Sequence, residues 1–346
     1  MNPLVFTGIP IGLAFGYALS RGRFCMNSAF RDIIVMKDYT LLKAVGIAIL
    51  VSMLGFAIMN AAGVIAVNPK PLMWGANMLG GFLFGMGMVV AGGCASGITY
   101  RTGEGMMGAV MAVLGFSIFA TTTKVGALKP VASFFQTNTK VTFADGATPT
   151  LAFGAPYHVV ALIIAIVALI VWSALSRRGK AAAKQENVPL KEKIFKKGWG
   201  WLPTGIVIGI IAIAAFPASA ASGRNYPLGI TGGYVGTLNS LITGQNLMSW
   251  EAIMVLSAIA GAFIAARTSG EFKLRAPAPK VLVQTFFGGA LMGFGAVVGG
   301  GCNIGHILSG VPQLSLGSIL GGLFIVLGCW FLAYFWFIRP MRQAGG

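Results

Sequence analysis

The sequence predicts an all-α polytopic membrane protein of about nine transmembrane helices, with further broken or re-entrant helices, arranged as two inverted repeats. Three observations carry that reading: composition, apolar stretches of spanning length, and an internal repeat. Of 346 residues, 56% are hydrophobic and only 10% are charged, against about a quarter charged in a soluble chain. Glycine accounts for 50 residues. Apolar and glycine-rich together describe helices packed closely in lipid, where small residues let backbones approach. A glycine-rich disordered chain would be polar instead.

A spanning helix needs about 20 mostly apolar residues. Nine stretches qualify, near 4–20, 43–66, 76–92, 106–123, 156–175, 203–220, 251–267, 281–299 and 316–337. Several are short and dense in glycine, which predicts helices interrupted inside the membrane. The N-terminus has no basic run or small-x-small cleavage site, so no cleaved leader is expected. The net charge of +17 would point to nucleic acid in a soluble protein. Here the cations fall between apolar stretches, so topology explains them and no nucleic-acid partner is expected.

The basic linker 176–200 separates two membrane units, 1–175 and 201–346. It carries eight Lys or Arg, which the positive-inside rule assigns to the cytoplasm. Alternating outward from it leaves five cations outside: Lys70, Lys124, Lys129, Lys140 and Arg224. The other 20 of the 25 Lys and Arg fall inside. The N-terminus is therefore expected outside and the C-terminus in the cytoplasm.

Residues 80–97 read GGFLFGMGMVVAGGCASG and residues 288–305 read GGALMGFGAVVGGGCNIG. More than half of the positions match at an offset of 208, Cys94 with Cys302 among them. The stretch before Cys94 runs outside to inside, and that before Cys302 the other way. Such halves form an inverted repeat, an arrangement common in secondary transporters, whose sites lie where helices break.

Both Gly-Gly-Cys stretches are candidate sites, comprising Gly93, Cys94, Ala95, Ser96 and Gly97 in one half and Gly301, Cys302, Asn303 and Gly305 in the other. Broken backbone at membrane depth persists only when buried in protein or lining a watery cavity. The unpaired N–H groups and the positive end of the next helix favour an anion. The bland alternative is that these glycines only permit tight packing. Cys25 lies in a basic run with Arg21, Arg23 and Arg31, where it is either part of the path or incidental to an anchor. Cys329 reads as a small core hydrophobe. Arg101 and Glu104 follow the first break, as a loop-stabilising pair or as substrate contacts. His306 follows the second, as a structural or a titrating group. Arg224 is placed to attract anions from outside. Paired carboxylates, a Walker motif, CxxC spacing and histidine clusters are all missing from the sequence. Enzymatic catalysis, a bound metal and a cofactor are therefore not expected.

At these motifs the chain resembles the YeeE/YedE family of bacterial thiosulfate transporters. The matching stretches are GRFCMNSAFRD at 22–32, GGCASGITYRTGEG at 92–105, SGRNYPLGIT at 222–231 and GGGCNIG at 299–305. The resemblance implies an inner-membrane protein that takes up thiosulfate from the periplasm. It implies that Cys25, Cys94 and Cys302 guide the anion by transient S–H···S contacts, and that a small TusA-like sulfur carrier works with it in the cytoplasm. The residues alone leave a membrane thiol enzyme and a transporter of another sulfur or selenium species as alternatives. A soft terminal sulfur suits a thiol, which disfavours sulfate. The expected order of depth is Cys302 outermost, Cys94 between, Cys25 innermost.

Overall fold

A computed structural model describes residues 3–142, 148–177, 192, 195–244 and 249–344. The basic linker expected at 176–200 lies largely outside the described residues. The chain is an all-α polytopic membrane protein. Its helices are α1 (Gly8–Arg21), α2 (Met26–Val35), α3 (Thr40–Ala61), α4 (Trp74–Val90), α5 (Ala95–Gly103), α6 (Met107–Lys124), α7 (Lys129–Asn138) and α8 (Tyr157–Arg177), followed by α9 (Trp201–Ala221), α10 (Thr231–Thr243), α11 (Trp250–Thr268), α12 (Pro279–Val298) and α13 (Leu316–Ala333). A short π-helix, Ile304–Gly310, precedes α13. One two-stranded ladder pairs Leu72 with Val141 and Met73 with Lys140.

Each of the nine apolar stretches contains a helix. Eight spans among the described residues are long and apolar enough to cross a membrane, and two of them, Pro3–Val35 and Trp74–Gly103, include a break. The ninth stretch holds a shorter apolar helix, Tyr157–Trp172. In hydrocarbon every backbone polar group must be paired within the protein, so apolar runs become helices. They stop where glycine takes the left-handed conformation. Gly92 (φ +68°) and Gly300 (φ +79°) end α4 and α12 in this way. Gly92 N–H then donates to the Val89 carbonyl and Gly300 N–H to that of Val297.

The order of elements over α1–α6 recurs over α9–α13: long helix, break, short helix, two long helices, Gly-Gly-Cys break, short helix, long helix. Packing follows the same correspondence. Helix α1 packs on α11, and α9 packs on α3. Helix α4 packs on α13, and α12 packs on α6. The counterparts α4 and α12 pack on each other at the centre. There Gly80 lies against Gly299, Gly87 against Met292, and Gly288 against Ala91, so the two helices run antiparallel. Glycine is required at these crossings, because a Cβ on Gly80 or Gly288 would overlap the partner's backbone. Helices α7 and α8 have no counterpart among the described residues of the second half.

Candidate functional site

Cys94 is the N-cap of α5 and Cys25 is the N-cap residue of α2, so two short helices begin at neighbouring thiols. The sulfurs are 3.8 Å apart. The Cys94 sulfur also accepts from the Met26 N–H (3.2 Å) and the Gly97 N–H (3.3 Å), with the Ser96 hydroxyl at 3.2 Å. It thus occupies the meeting point of two positive helix ends, where electron-rich atoms are stabilised. Gly97 makes this possible. A Cβ there would stand 2.7 Å from the Cys25 sulfur and 3.4 Å from that of Cys94.

The second break closes onto the first. Asn303 accepts from the Ala95 N–H (3.3 Å), its own counterpart in the repeat, and donates to the Met26 sulfur (3.2 Å). Cys25, Cys94, Cys302 and Asn303 are all buried. Cys302 lines a cavity of about 510 Å³. Lys70, Lys124, Lys129 and Arg224 also line it, against a single acid, Glu251. Arg224 pairs with Glu251 at 2.5 Å and stacks on Tyr226, which Lys70 also faces. Lys70 donates to the Gly300 carbonyl at 2.7 Å. Burial disfavours its charged form and lowers its pKa to about 8. Gly301 and Gly305 leave room for this ammonium, which a Cβ on Gly301 would overlap.

On the other face, a cavity of about 360 Å³ is lined by Gly92, Arg101 and Arg275 among others. Glu104 does not pair with Arg101 as a loop-stabilising partner. It caps α5 beside the end of α1, where it accepts from Ser20 (2.8 Å) and pairs with Arg23 (3.0 Å). Arg23 reaches Glu271 as well, at 2.7 Å. Arg101 instead donates to the Gly92 carbonyl. The His306 ring nitrogens lie 3.0 Å from the Gly299 carbonyl and 3.3 Å from the Ser318 hydroxyl, bracing the second break. Cys329 sits in the core with its sulfur 3.6 Å from Asn27 Oδ1. No cluster of three or more potential metal ligands occurs among the described residues.

Two cation-lined cavities therefore lie one beside each Gly-Gly-Cys break. A family model described as sulphur transport matches residues 21–331. The chain belongs to the sulphur transport family. It is similar to a protein of Spirochaeta thermophila named thiosulfate transporter TsuA, at 39% identity over 97% of this chain and 100% of that relative. It is also similar to the Escherichia coli protein of the same name, at 31% identity over 99% of this chain and 98% of that relative. A probable transporter, YedE of Escherichia coli, matches at 38% over only 31% of this chain and 26% of its own length. Membership of this family meets the expectation of a sulfur-compound transporter rather than an enzyme. Lys70, Tyr226, Glu251, Glu271 and Arg275 were not singled out by sequence pattern. Lys70 and Arg224 belong to the small set of cations expected outside, and both line the wider cavity.

Proposed function

We propose that the chain takes up thiosulfate across the bacterial inner membrane, passing it from Cys302 to Cys94 and Cys25. The observation that carries this reading is the Cys94 sulfur, held at two helix N-termini beside Cys25 and between two cationic cavities. Thiosulfate is a divalent anion with one soft terminal sulfur. Its oxygens suit backbone N–H groups and cations, and its sulfur suits polarisable thiols that donate weakly. Weak contacts at successive depths favour release as well as capture. The thiols stay chemically unchanged in this scheme.

The antiparallel crossing of α4 and α12 supports reading 1–175 and 201–346 as inverted repeats. The cation count supports a periplasmic N-terminus, with the Lys70 cavity facing the periplasm and the Arg101 cavity the cytoplasm. A TusA-like carrier that receives thiosulfate at the cytoplasmic face rests on the family resemblance alone. The direct test is uptake of ³⁵S-thiosulfate into proteoliposomes. Wild type accumulates label, and Cys94→Ala, inserted at normal abundance, loses nearly all of it. Normal uptake by that variant would refute the path.

A further inference from the structure

We propose that Arg101 and Arg275, beside the Gly92–Gly93 turn, form a second anion-binding site, which holds the same divalent oxyanion before it leaves on the face opposite Lys70. This inference rests on the transport reading above and extends it to the exit side.

The two Gly-Gly-Cys breaks each engage a cation in a way that the linear sequence hides. Gly92 and Gly300 are equivalent in the repeat, and both adopt positive φ. The carbonyl of each accepts from a cation, Lys70 at Gly300 and Arg101 at Gly92. The next glycines are equivalent too. The Lys70 ammonium occupies the space of a Cβ on Gly301, and an Arg101 guanidinium nitrogen lies 3.3 Å from the Cβ position of Gly93. Each Gly-Gly-Cys turn thus carries its own cation directly before the cysteine. The two cations come from unrelated places, Lys70 from the loop before α4 and Arg101 from α5 after the break.

The second turn also has its cavity. Gly92 and Arg101 line the 360 Å³ space together with Arg275, and its lining contains no acidic residue. Arg101 has no carboxylate partner among the described residues, because Glu104 is engaged by Ser20 and Arg23. A guanidinium has five N–H donors, so those not used at Gly92 and Tyr100 remain for an anion. Arg275 is held at the rim by its backbone. Its carbonyl accepts from Met107 N–H (2.9 Å), and its N–H donates to the Gly105 carbonyl (3.0 Å). Two cations and no carboxylate beside the turn that precedes Cys94 describe an anion site at the inner mouth.

The test uses proteoliposomes of defined orientation, with labelled thiosulfate offered at one face or the other. Arg275→Ser is the primary variant, since its side chain is exposed and makes no tertiary bond among the described residues. It is expected to raise the half-saturating concentration about fivefold on the Arg101 face, the effect of one partly screened charge, and to leave the Lys70 face unchanged. Lys70→Met should do the reverse. Arg101→Lys should retain binding on its own face. An unchanged half-saturation on the Arg101 face in Arg275→Ser, or an equal rise on both faces, overturns the inference and leaves the transport reading intact. If wild-type liposomes carry no label in either direction, the transport reading falls. Equilibrium binding of thiosulfate to purified protein then decides the site, with loss of binding in Arg275→Ser supporting it and no difference from wild type overturning it.

Discussion

At the residue scale, the waist depends on what glycine omits. Gly97 lies under both thiols, and a methyl group there would stand 2.7 Å from the Cys25 sulfur in a fully buried site. Gly97→Ala must therefore push Cys25 away or displace the start of α5. The expected result is at least a tenfold fall in thiosulfate uptake with little change in membrane abundance, read by proteoliposome flux and immunoblot; about 1–3 kcal/mol of overpacking is the scale involved. Lys70 supplies a second residue-level prediction. Burial lowers its pKa to about 8, so the ammonium is charged below that pH and increasingly neutral above it. Anion capture should then weaken as pH on its face rises through about 8, with a rising half-saturation. Lys70→Arg should flatten that dependence, because guanidinium stays charged. Cys94, Cys302 and Asn303 were legible because a local motif recurs. Lys70 was not, because it meets Gly300 across 230 positions and no short pattern records that contact.

At the element scale, helix identity was legible and helix interruption was partly so. Apolar length marks a spanning helix directly, since lipid leaves the backbone no other partner. The short helices are harder to read. Helix α7 reads KPVASFFQTN and carries too few apolar residues to stand out, and α10 carries two consecutive glycines, Gly232 and Gly233, in its first turn. What holds these elements is a set of close backbone crossings. A Cβ on Gly288 would overlap Ala91, and one on Gly289 would overlap the Ala112 carbonyl. Gly288→Ala should therefore separate α12 from α4 and lower the melting temperature in detergent, at a cost of about 1–3 kcal/mol. Exposed Gly63, which has nothing within 4 Å of its Cβ position, is the control for insertion. Because its φ is +71°, replacement there should cost only the local strain of about 1 kcal/mol. An equal loss at both positions would show that crossing contacts do not set the stability.

At the scale of the whole molecule, the two faces differ in charge and in what they assemble. One face brings together residues from four distant segments. Arg21 and Arg23 meet Glu104 and Glu271, and the Arg21 guanidinium also donates to the Lys196 carbonyl at 2.8 Å. The other face brings Lys70, Lys124, Lys129 and Arg224 around one cavity. The partition follows the cation count along the chain, while the contacts across it depend on tertiary packing and left no trace in sequence. The native cysteines are all buried, so a single engineered surface cysteine reports which face is which. Lys129→Cys should react with a membrane-impermeant maleimide in intact bacterial spheroplasts, because Lys129 lines the cavity assigned to the periplasm. Lys273→Cys, in the exposed loop between α11 and α12, should react only after the membrane is opened. Reversed labelling would invert the molecule and turn the path from uptake to export. Labelling of both sites in sealed spheroplasts would mean that α4 and α12 do not separate two aqueous faces, and the inverted-repeat reading would go with it.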